Sequence, residues 1–388
     1  MKILTFTTLY PNNIKTGHGI FIEQRLRHFL KIADTEAVVV APVPWFPFSS
    51  KKFGEYAAFA KVARNEERHG IRILHPRYPL IPKVGMVLTP FFMVLALYPV
   101  LKKLLKDERF DVIDAHYFYP DGVAAAMLGK LLGKPVTITA RGSDITFIPQ
   151  LLLPRKMIQW AAGQAAAVFT VCQALQDELI SLGADPDKVT SLRNGVDLAL
   201  FHPQDREPVR RQLNVAGPTL LSVGNLIELK GHYLIIEALQ ALPEYNLLIA
   251  GSGPDLAELT KRAEDLQVAD RVAFLGRVAH DELVNIYSAA DILILASSRE
   301  GWANVLLEAM ACGTPAIATK VWGTAEVVGA PAAGLLIEER SAQAIANAVR
   351  EMEKSKPTRE ETRAYAEQFS WDDTISCLHE LFKVITAN

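Results

Sequence analysis

Short apolar runs alternate with helical stretches along nearly the whole chain, and this alternation restricts the fold more than any other feature. Ile3 to Thr7, Ala37 to Val43, Val112 to Ala115, Val136 to Ala140 and Ala167 to Val171 are such runs. They read as strands buried on both faces, the mark of a parallel sheet covered by helices. After the polar, proline-containing stretch from Asp197 to Asn214 a second series begins: Thr219 to Val223, Asn246 to Ala250, Val272 to Leu275, Ile292 to Leu295 and Pro315 to Ala318. The expectation is an α/β chain of two similar halves. At 388 residues two domains are also the default, because single cores stop growing near ~250 to 300 residues. Ligands of such sheets bind outside the carboxyl ends of the strands, so two halves facing each other would enclose one deep cleft.

Half the residues are apolar and 22% are charged, values of a folded enzyme rather than a disordered chain. The net charge of −2 hides an asymmetry: residues 1 to 200 carry 24 basic and 17 acidic side chains, residues 201 to 388 carry 17 and 26. Such a split disfavours nucleic-acid binding, which wants one continuous cationic track, and suits a first half facing an anionic acceptor or a lipid surface. Cys172, Cys312 and Cys377 are odd in number and far apart, which supports neither a disulfide framework nor a zinc site and points to a reducing cytoplasm. The start, with a single Lys2 before Ile3-Leu4-Thr5-Phe6, reads as a first strand rather than a signal peptide. Val84 to Leu101 holds 18 residues without charge, flanked by Lys83 and by Lys102, Lys103 and Lys106. Pro90 and Pro99 are expected to interrupt it, which favours domain helices with a surface that could touch a membrane peripherally over a span.

The segment Ser297 to Pro315 carries the most chemistry. It follows an apolar strand with Ser-Ser-Arg-Glu-Gly-Trp-Ala-Asn-Val-Leu-Leu-Glu-Ala-Met-Ala-Cys-Gly-Thr-Pro. Gly301 allows close backbone approach, and the helix opening through Trp302, Ala303, Asn304 and Val305 offers N–H groups to a diphosphate. Glu300 and Glu308 bracket that anion site. Carboxylates are poor phosphate ligands and good acceptors for hydroxyls, so they fit the sugar parts of a nucleotide sugar. A second segment, Ser222 to His232, places Gly224, Asn225 and Lys230 between a strand and a helix, a phosphate-binding pattern.

The two glutamates with seven residues between them, followed by Ala-Met-Ala-Cys-Gly-Thr-Pro, resemble the retaining glycosyltransferases of family 4. The likeness runs over nearly the whole chain. It implies the GT-B type of fold: a Rossmann-like acceptor domain over residues 1–195, joined by a returning helix at 371–388, and a Rossmann-like donor domain over 196–370. It implies transfer of a sugar from a UDP- or GDP-sugar to a saccharide or lipid-linked acceptor, with no metal and no cofactor. Glu300 would touch the transferred sugar, Glu308 the ribose hydroxyls, and Lys230 the donor diphosphate. The loop at Gly251, with Arg277 and Val278, would lie near the base. In the first half Gly17 and Gly19 would approach diphosphate and acceptor, and His116 the reacting sugar.

Two positions depart from the family pattern. Asn225 stands where an arginine is common, so one cation is missing. Arg141, in Arg-Gly-Ser-Asp ending at Asp144, stands where a histidine is usual. Two roles are open to Arg141: supplying the charge that Asn225 lacks, or a salt bridge with Asp144. The glycine pair Gly251 and Gly253 is no dinucleotide fingerprint, since Leu256 occupies the third glycine's place. The alternatives to a transferase are a nucleotide-sugar epimerase or hydrolase of the same fold, and a non-catalytic sugar-nucleotide or glycan-binding protein.

Overall fold

A computed structural model describes residues 1–50, 52, 54–81 and 85–387. The chain forms two compact units, Met1–Arg193 with Asp372–Asn388, and Asn194–Trp371. The first holds β1 (Lys2–Phe6), β2 (Glu36–Val40), β3 (Val43–Pro44), β4 (Asn65–Arg68), β5 (Ile71–Leu74), β6 (Arg77–Tyr78), β7 (Val112–His116), β8 (Val136–Ala140), β9 (Ala167–Thr170) and β10 (Val189–Ser191). The main sheet runs β10-β9-β8-β7-β1-β2-β5-β4, and β3 pairs with β6 in a short ribbon. Every pairing is parallel except β4 with β5. The second unit holds β11 (Thr219–Val223), β12 (Asn246–Ala250), β13 (Val272–Gly276), β14 (Ile292–Leu295), β15 (Ala316–Thr319) and β16 (Gly334–Ile337). Its order is β13-β12-β11-β14-β15-β16, all parallel. Both units are Rossmann-like α/β sheets.

Composition explains the strands. All five residues of β8 and all four of β14 are buried, as expected of central strands with helices on both faces. Five strands were hidden in the sequence: Asn-Glu-Glu-Arg forms β4 at an antiparallel edge, where the strand needs no apolar face; Ile-Arg-Ile-Leu forms β5 beside it; Arg-Tyr forms β6; Val-Thr-Ser forms β10 at the other edge; and Gly-Leu-Leu-Ile forms β16. The expected run Ala37 to Val43 divides at Ala41 into β2 and β3.

The uncharged stretch takes a different form from the one expected. Val84 and Lys83 lie outside the described residues. One helix, Thr89–Glu108, runs straight through Pro99, while Pro90 sits in its first turn, where a missing N–H costs nothing. Met93, Leu97, Leu101 and Leu104 are buried at helical spacing and anchor it. Pro99 is on the exposed side, where water can take up the carbonyl it leaves unpaired. Among the described residues no helix is long and apolar enough to cross a membrane.

The chain returns to the first unit in the helix Trp371–Ala387. Its anchor is Phe382, 0% exposed, packed edge-on to Phe29 at 5.5 Å and Phe169 at 6.4 Å between ring centroids. Phe382→Ala is expected to lower the unfolding free energy by about 3–5 kcal/mol, the range for emptying a buried aromatic site. Urea denaturation read by tryptophan fluorescence measures it, and a loss below about 1 kcal/mol would show that the returning helix is not integral to the first unit.

Candidate functional site

In the second unit the chemistry gathers at the carboxyl ends of β11, β12 and β14. After β11 the chain turns through Gly224 and Asn225 into a single turn at Glu228–Lys230 and then the helix His232–Ala238. The stem of Lys230 lies against Gly224. Its Nζ donates to Glu300 Oε1 at 2.5 Å, and the same oxygen accepts from Ser297 Oγ at 2.6 Å. The sequence reading named Lys230 and Glu300 separately and missed Ser297. Asn225 is exposed, and its carbonyl accepts from His232 Nε2 at 3.1 Å while His232 Nδ1 meets Ser222 Oγ at 2.9 Å. Burial drops the pKa of His232 to about 4, so it is a neutral pin that fixes the loop.

Gly251, after β12, is required by packing: a Cβ there would sit 1.8 Å from the Gly224 carbonyl oxygen. Glycine lets the loops after β11 and β12 touch. Arg277 is exposed just beyond edge strand β13, with Val278 half-buried beside it. Gly301 is half-buried in the bend after Glu300. Trp302 and Ala303 are buried, Trp302 against Phe369 at 6.3 Å, so they can present main chain but not side chains to a ligand. Asn304 opens the helix Asn304–Ala311 and accepts from Asn194 Nδ2 at 3.2 Å; Val305 follows it, half-buried.

Glu308, 7% exposed, projects from that helix with both oxygens engaged. His280 Nε2 lies 3.0 Å from Oε1, and Tyr287 Oη donates to Oε2 at 2.7 Å. Burial works against a charged His280, but the Glu308 carboxylate outweighs it and the histidine pKa rises. Neither His280 nor Tyr287 was readable as a partner. Cys312, at the end of the helix, is pushed up to about 12 by burial, which makes its thiol inert.

In the first unit the corresponding strand ends hold a buried charged chain. Arg141 Nη2 lies 2.6 Å from His116 Nδ1, and His116 Nε2 lies 3.2 Å from Asp114 Oδ2. Arginine can only donate, so Nδ1 accepts and the imidazole proton sits on Nε2 toward the carboxylate. Burial, set against the pull of Asp114, lowers the His116 pKa to about 4. The ring is 2% exposed with both nitrogens occupied. In this arrangement His116 braces Arg141. Burial, aided by Arg25, lowers the Arg141 pKa to about 9, still charged at neutral pH, and its guanidinium stacks over Phe21 at 5.2 Å.

Asp144 is buried and accepts from the backbone N–H groups of Phe118 at 2.7 Å, Gly142 at 2.7 Å and Arg141 at 3.0 Å. It fastens the loop after β7 to the loop after β8 and is not presented to a ligand. Gly19 takes φ +69°, and a Cβ there would meet the Leu9 carbonyl at 2.2 Å, so it closes the loop after β1. Gly17 is exposed in the turn before it. No group of three or more His, Cys, Asp or Glu side chains able to hold a metal occurs among the described residues. An Asp-x-Asp triplet does occur at Asp185-Pro186-Asp187, but Asp185 spends its carboxylate capping a short turn through the Asp187 N–H.

The His280–Glu308 contact makes stability depend on pH. Because the folded pKa of His280 lies above 6.5, the contribution of the pair is complete below about pH 6.5 and fades as pH rises through the folded value. The difference in unfolding free energy between wild type and His280→Gln should be about 1–3 kcal/mol at pH 6 and shrink toward pH 9. Urea titrations at the two pH values measure it; a pH-independent difference would rule out a charged pair.

Residues 203–369 match the family Glycosyl transferases group 1, and residues 56–200 match Glycosyltransferase Family 4. The chain is 27% identical over its whole length to TuaC of Bacillus subtilis, named as a teichuronic acid biosynthesis glycosyltransferase, and covers 99% of it. It is 36% identical over 307 residues to the D-inositol 3-phosphate glycosyltransferase of Corynebacterium glutamicum, in an alignment covering 72% of this chain and 73% of that one. Among solved structures, sucrose-phosphate synthase from Thermosynechococcus elongatus superposes with a TM-score of 0.80 at 20% identity, covering 100% of this chain and 99% of that one. Anabaena Alr3699/HepE, in complex with UDP and glucose, gives 0.75 at 21% identity, covering 99% and 100%. These likenesses establish the GT-B type of fold, and the sequence relationships establish the family: the chain is a glycosyltransferase of family 4.

Proposed function

We propose that the enzyme transfers a sugar with retention of configuration from a UDP- or GDP-sugar to a saccharide or lipid-linked acceptor, in the synthesis of a cell-surface polysaccharide or glycolipid. The second unit is assigned to the donor and the first to the acceptor. The observation that carries the reading is the Lys230–Glu300 contact at 2.5 Å. A carboxylate that can accept sugar hydroxyls and an ammonium that can meet a diphosphate stand side by side, as the junction between sugar and diphosphate requires. Glu308, held by His280 and Tyr287, is assigned to the ribose hydroxyls. The relatives support this: TuaC is a teichuronic acid biosynthesis glycosyltransferase, and the Anabaena protein binds UDP and glucose.

In the proposed reaction the bond from the anomeric carbon to the donor phosphate oxygen breaks as the acceptor hydroxyl oxygen bonds to that carbon on the same face. The acceptor proton passes to the departing phosphate oxygen. Lys230 and backbone N–H groups at helix starts offset the charge that develops on the diphosphate, the kind of electrostatic stabilisation that does not need a metal. Arg141, braced by His116, is assigned to an anionic group of the substrates; arginine holds phosphate oxygens in a bidentate way that lysine cannot.

A peripheral contact with anionic membrane is also proposed for the first unit, on the cytoplasmic side. On the helix Thr89–Glu108, Phe91 is exposed and Leu95 is 74% exposed, and Lys102, Lys103 and Lys106 are exposed on the same helix. Flotation with phosphatidylglycerol vesicles should show binding at low salt and release at about 0.5 M salt, where screening shortens electrostatic reach. No flotation at low salt would remove the membrane from the proposal.

Nucleotide binding tests the division of roles. Lys230→Ala should weaken nucleoside diphosphate binding by about 1.5–3 kcal/mol, the range for a hydrogen bond to a charged group. Glu308→Ala should also weaken it, whereas Glu300→Ala should leave it nearly unchanged and slow turnover, since only Glu300 is assigned to the transferred sugar. Calorimetric titration with UDP and GDP measures all three. Equal losses in Glu300→Ala and Glu308→Ala would refute the assignment.

A further inference from the structure

The first unit contains a cavity of about 260 Å³ beside the loop after β1. Its walls are apolar: Val43 and Pro44 of β3, Tyr78 of β6, and Phe59 and Val62 at the end of the helix Glu55–Lys61. Its mouth is polar and basic, formed by Thr8, Lys15 and His18 from the loop after β1. No carboxylate side chain lines it among the described residues.

The cavity is built into the fold. Asn12, 8% exposed, accepts from the N–H groups of Ile14 at 3.0 Å and Lys15 at 2.9 Å and so fixes the backbone that presents Lys15. Asn13 ties the same loop to the opposite wall: its Oδ1 accepts from Ala63 N at 3.0 Å and its Nδ2 donates to Lys61 O at 3.3 Å. Lys15 Nζ lies 5.8 Å from the centre of the Phe59 ring, so the cation stands where the apolar wall meets the mouth. Thr8 is shared with the strand-end site: its N–H and hydroxyl reach Asp121, and the neighbouring Thr7 hydroxyl donates to the His116 carbonyl at 3.0 Å. The mouth therefore adjoins the end of β7, which carries His116, and the loop that follows it.

From Phe59 a file of aromatic rings runs outward over the surface. Phe59 meets Tyr56 at 6.1 Å, Tyr56 meets Phe46 at 5.5 Å, and Phe46 meets Phe48 at 6.0 Å. Tyr56, Phe48 and the adjacent Trp45 are exposed, and Lys52, Lys61 and Arg64 border the same segment. At about 260 Å³ the cavity is smaller than the ~300–1,000 Å³ typical of a whole ligand site, so it suits one part of a ligand whose remainder runs out along the rings. An apolar channel with basic groups at its mouth complements an anionic amphiphile, because the hydrocarbon leaves water while the charge keeps a cation.

We infer that this cavity is an acceptor subsite for a phosphorylated lipid: the phosphate meets Lys15 and His18, and the hydrocarbon occupies the Val43–Phe59–Tyr78 channel and the aromatic file beyond it. This rests on the assignment of the first unit to the acceptor and narrows it from saccharide or lipid-linked to lipid-linked. Equilibrium dialysis of the full chain against farnesyl phosphate, farnesol and glucose 1-phosphate tests it. Farnesyl phosphate should bind at least about ten-fold more tightly than either of the others, since each of those lacks one of the two features. Lys15→Gln and Phe59→Ala should each weaken farnesyl phosphate about ten-fold, and Lys15→Arg should keep most of the binding. UDP binding should be unchanged in all three variants. Farnesol binding as tightly as its phosphate, glucose 1-phosphate binding as tightly as the amphiphile, or wild-type farnesyl phosphate binding in both Lys15→Gln and Phe59→Ala would each overturn the subsite. Because UDP binding reads the donor unit by itself, loss of the subsite leaves the donor assignment standing, and failure of Lys230→Ala to affect UDP leaves the subsite standing.

Discussion

Parallel strands deliver their carboxyl ends, and the starts of the helices that follow, to one edge of a sheet. Residues remote in sequence become neighbours there when their strands pair. Lys230 and Glu300 are 70 positions apart in the chain, yet β11 and β14 are paired, and the loops leaving those strands bring ammonium and carboxylate together. The first unit repeats the device. β1 lies between β7 and β2, so Thr7 and Thr8, leaving β1, reach the His116 carbonyl and Asp121 beyond β7. Sheet order thus decides which loops can cooperate, and the side chains on those loops decide what chemistry results.

Charge buried beneath that edge has to be compensated. Arg25, Asp114, His116 and Arg141 lie close together in the first unit: Arg25 Nη1 donates to Thr139 Oγ1 at 3.0 Å, its Nη2 is 3.7 Å from Asp114, and Thr137 donates to the same aspartate at 2.8 Å. Burial raises the proton affinity of Asp114, but His116 and Arg25 pull it well below the ordinary carboxylate range. A buried charge stripped of one partner typically costs about 3–5 kcal/mol, so removing any one charged member of this set is expected to be strongly destabilising. The reward is a guanidinium held in one orientation at the strand-end surface. Asp121, nearby, follows the opposite course: burial raises its pKa to about 7 despite the Thr7 and Thr8 hydrogen bonds.

The sequence made the central strands legible because β8, β11 and β14 are built from apolar and small residues and β1 and β7 carry apolar runs, as burial on both faces favours. It hid β4, whose Asn-Glu-Glu-Arg has no apolar face to betray it. It also misjudged Pro99, because a proline's effect depends on whether its side of the helix faces water. At the site, Glu300, Glu308 and Lys230 stood out through spacing and motif. Their partners Ser297, His280 and Tyr287 did not, and neither did the pairing of His116 with Arg141. Histidine, tyrosine and serine are common in any chain, and only the three-dimensional arrangement shows which of them meets a carboxylate. The cavity behind Lys15 was equally invisible, since its walls come from three segments with no shared motif.

Asp144 accepts from main-chain N–H groups on two separate loops. Main-chain donors are present whatever side chains those loops carry, so the clasp is indifferent to the sequences it joins so long as the aspartate and the turn geometry survive. Side chains on the two loops are thus free to diversify while their spacing is preserved. A transplanted loop would break the clasp only where its turn carried the main-chain N–H groups elsewhere, leaving a buried carboxylate without its donors. Either loop can therefore be exchanged by itself in engineering, provided its turn geometry and the aspartate are kept.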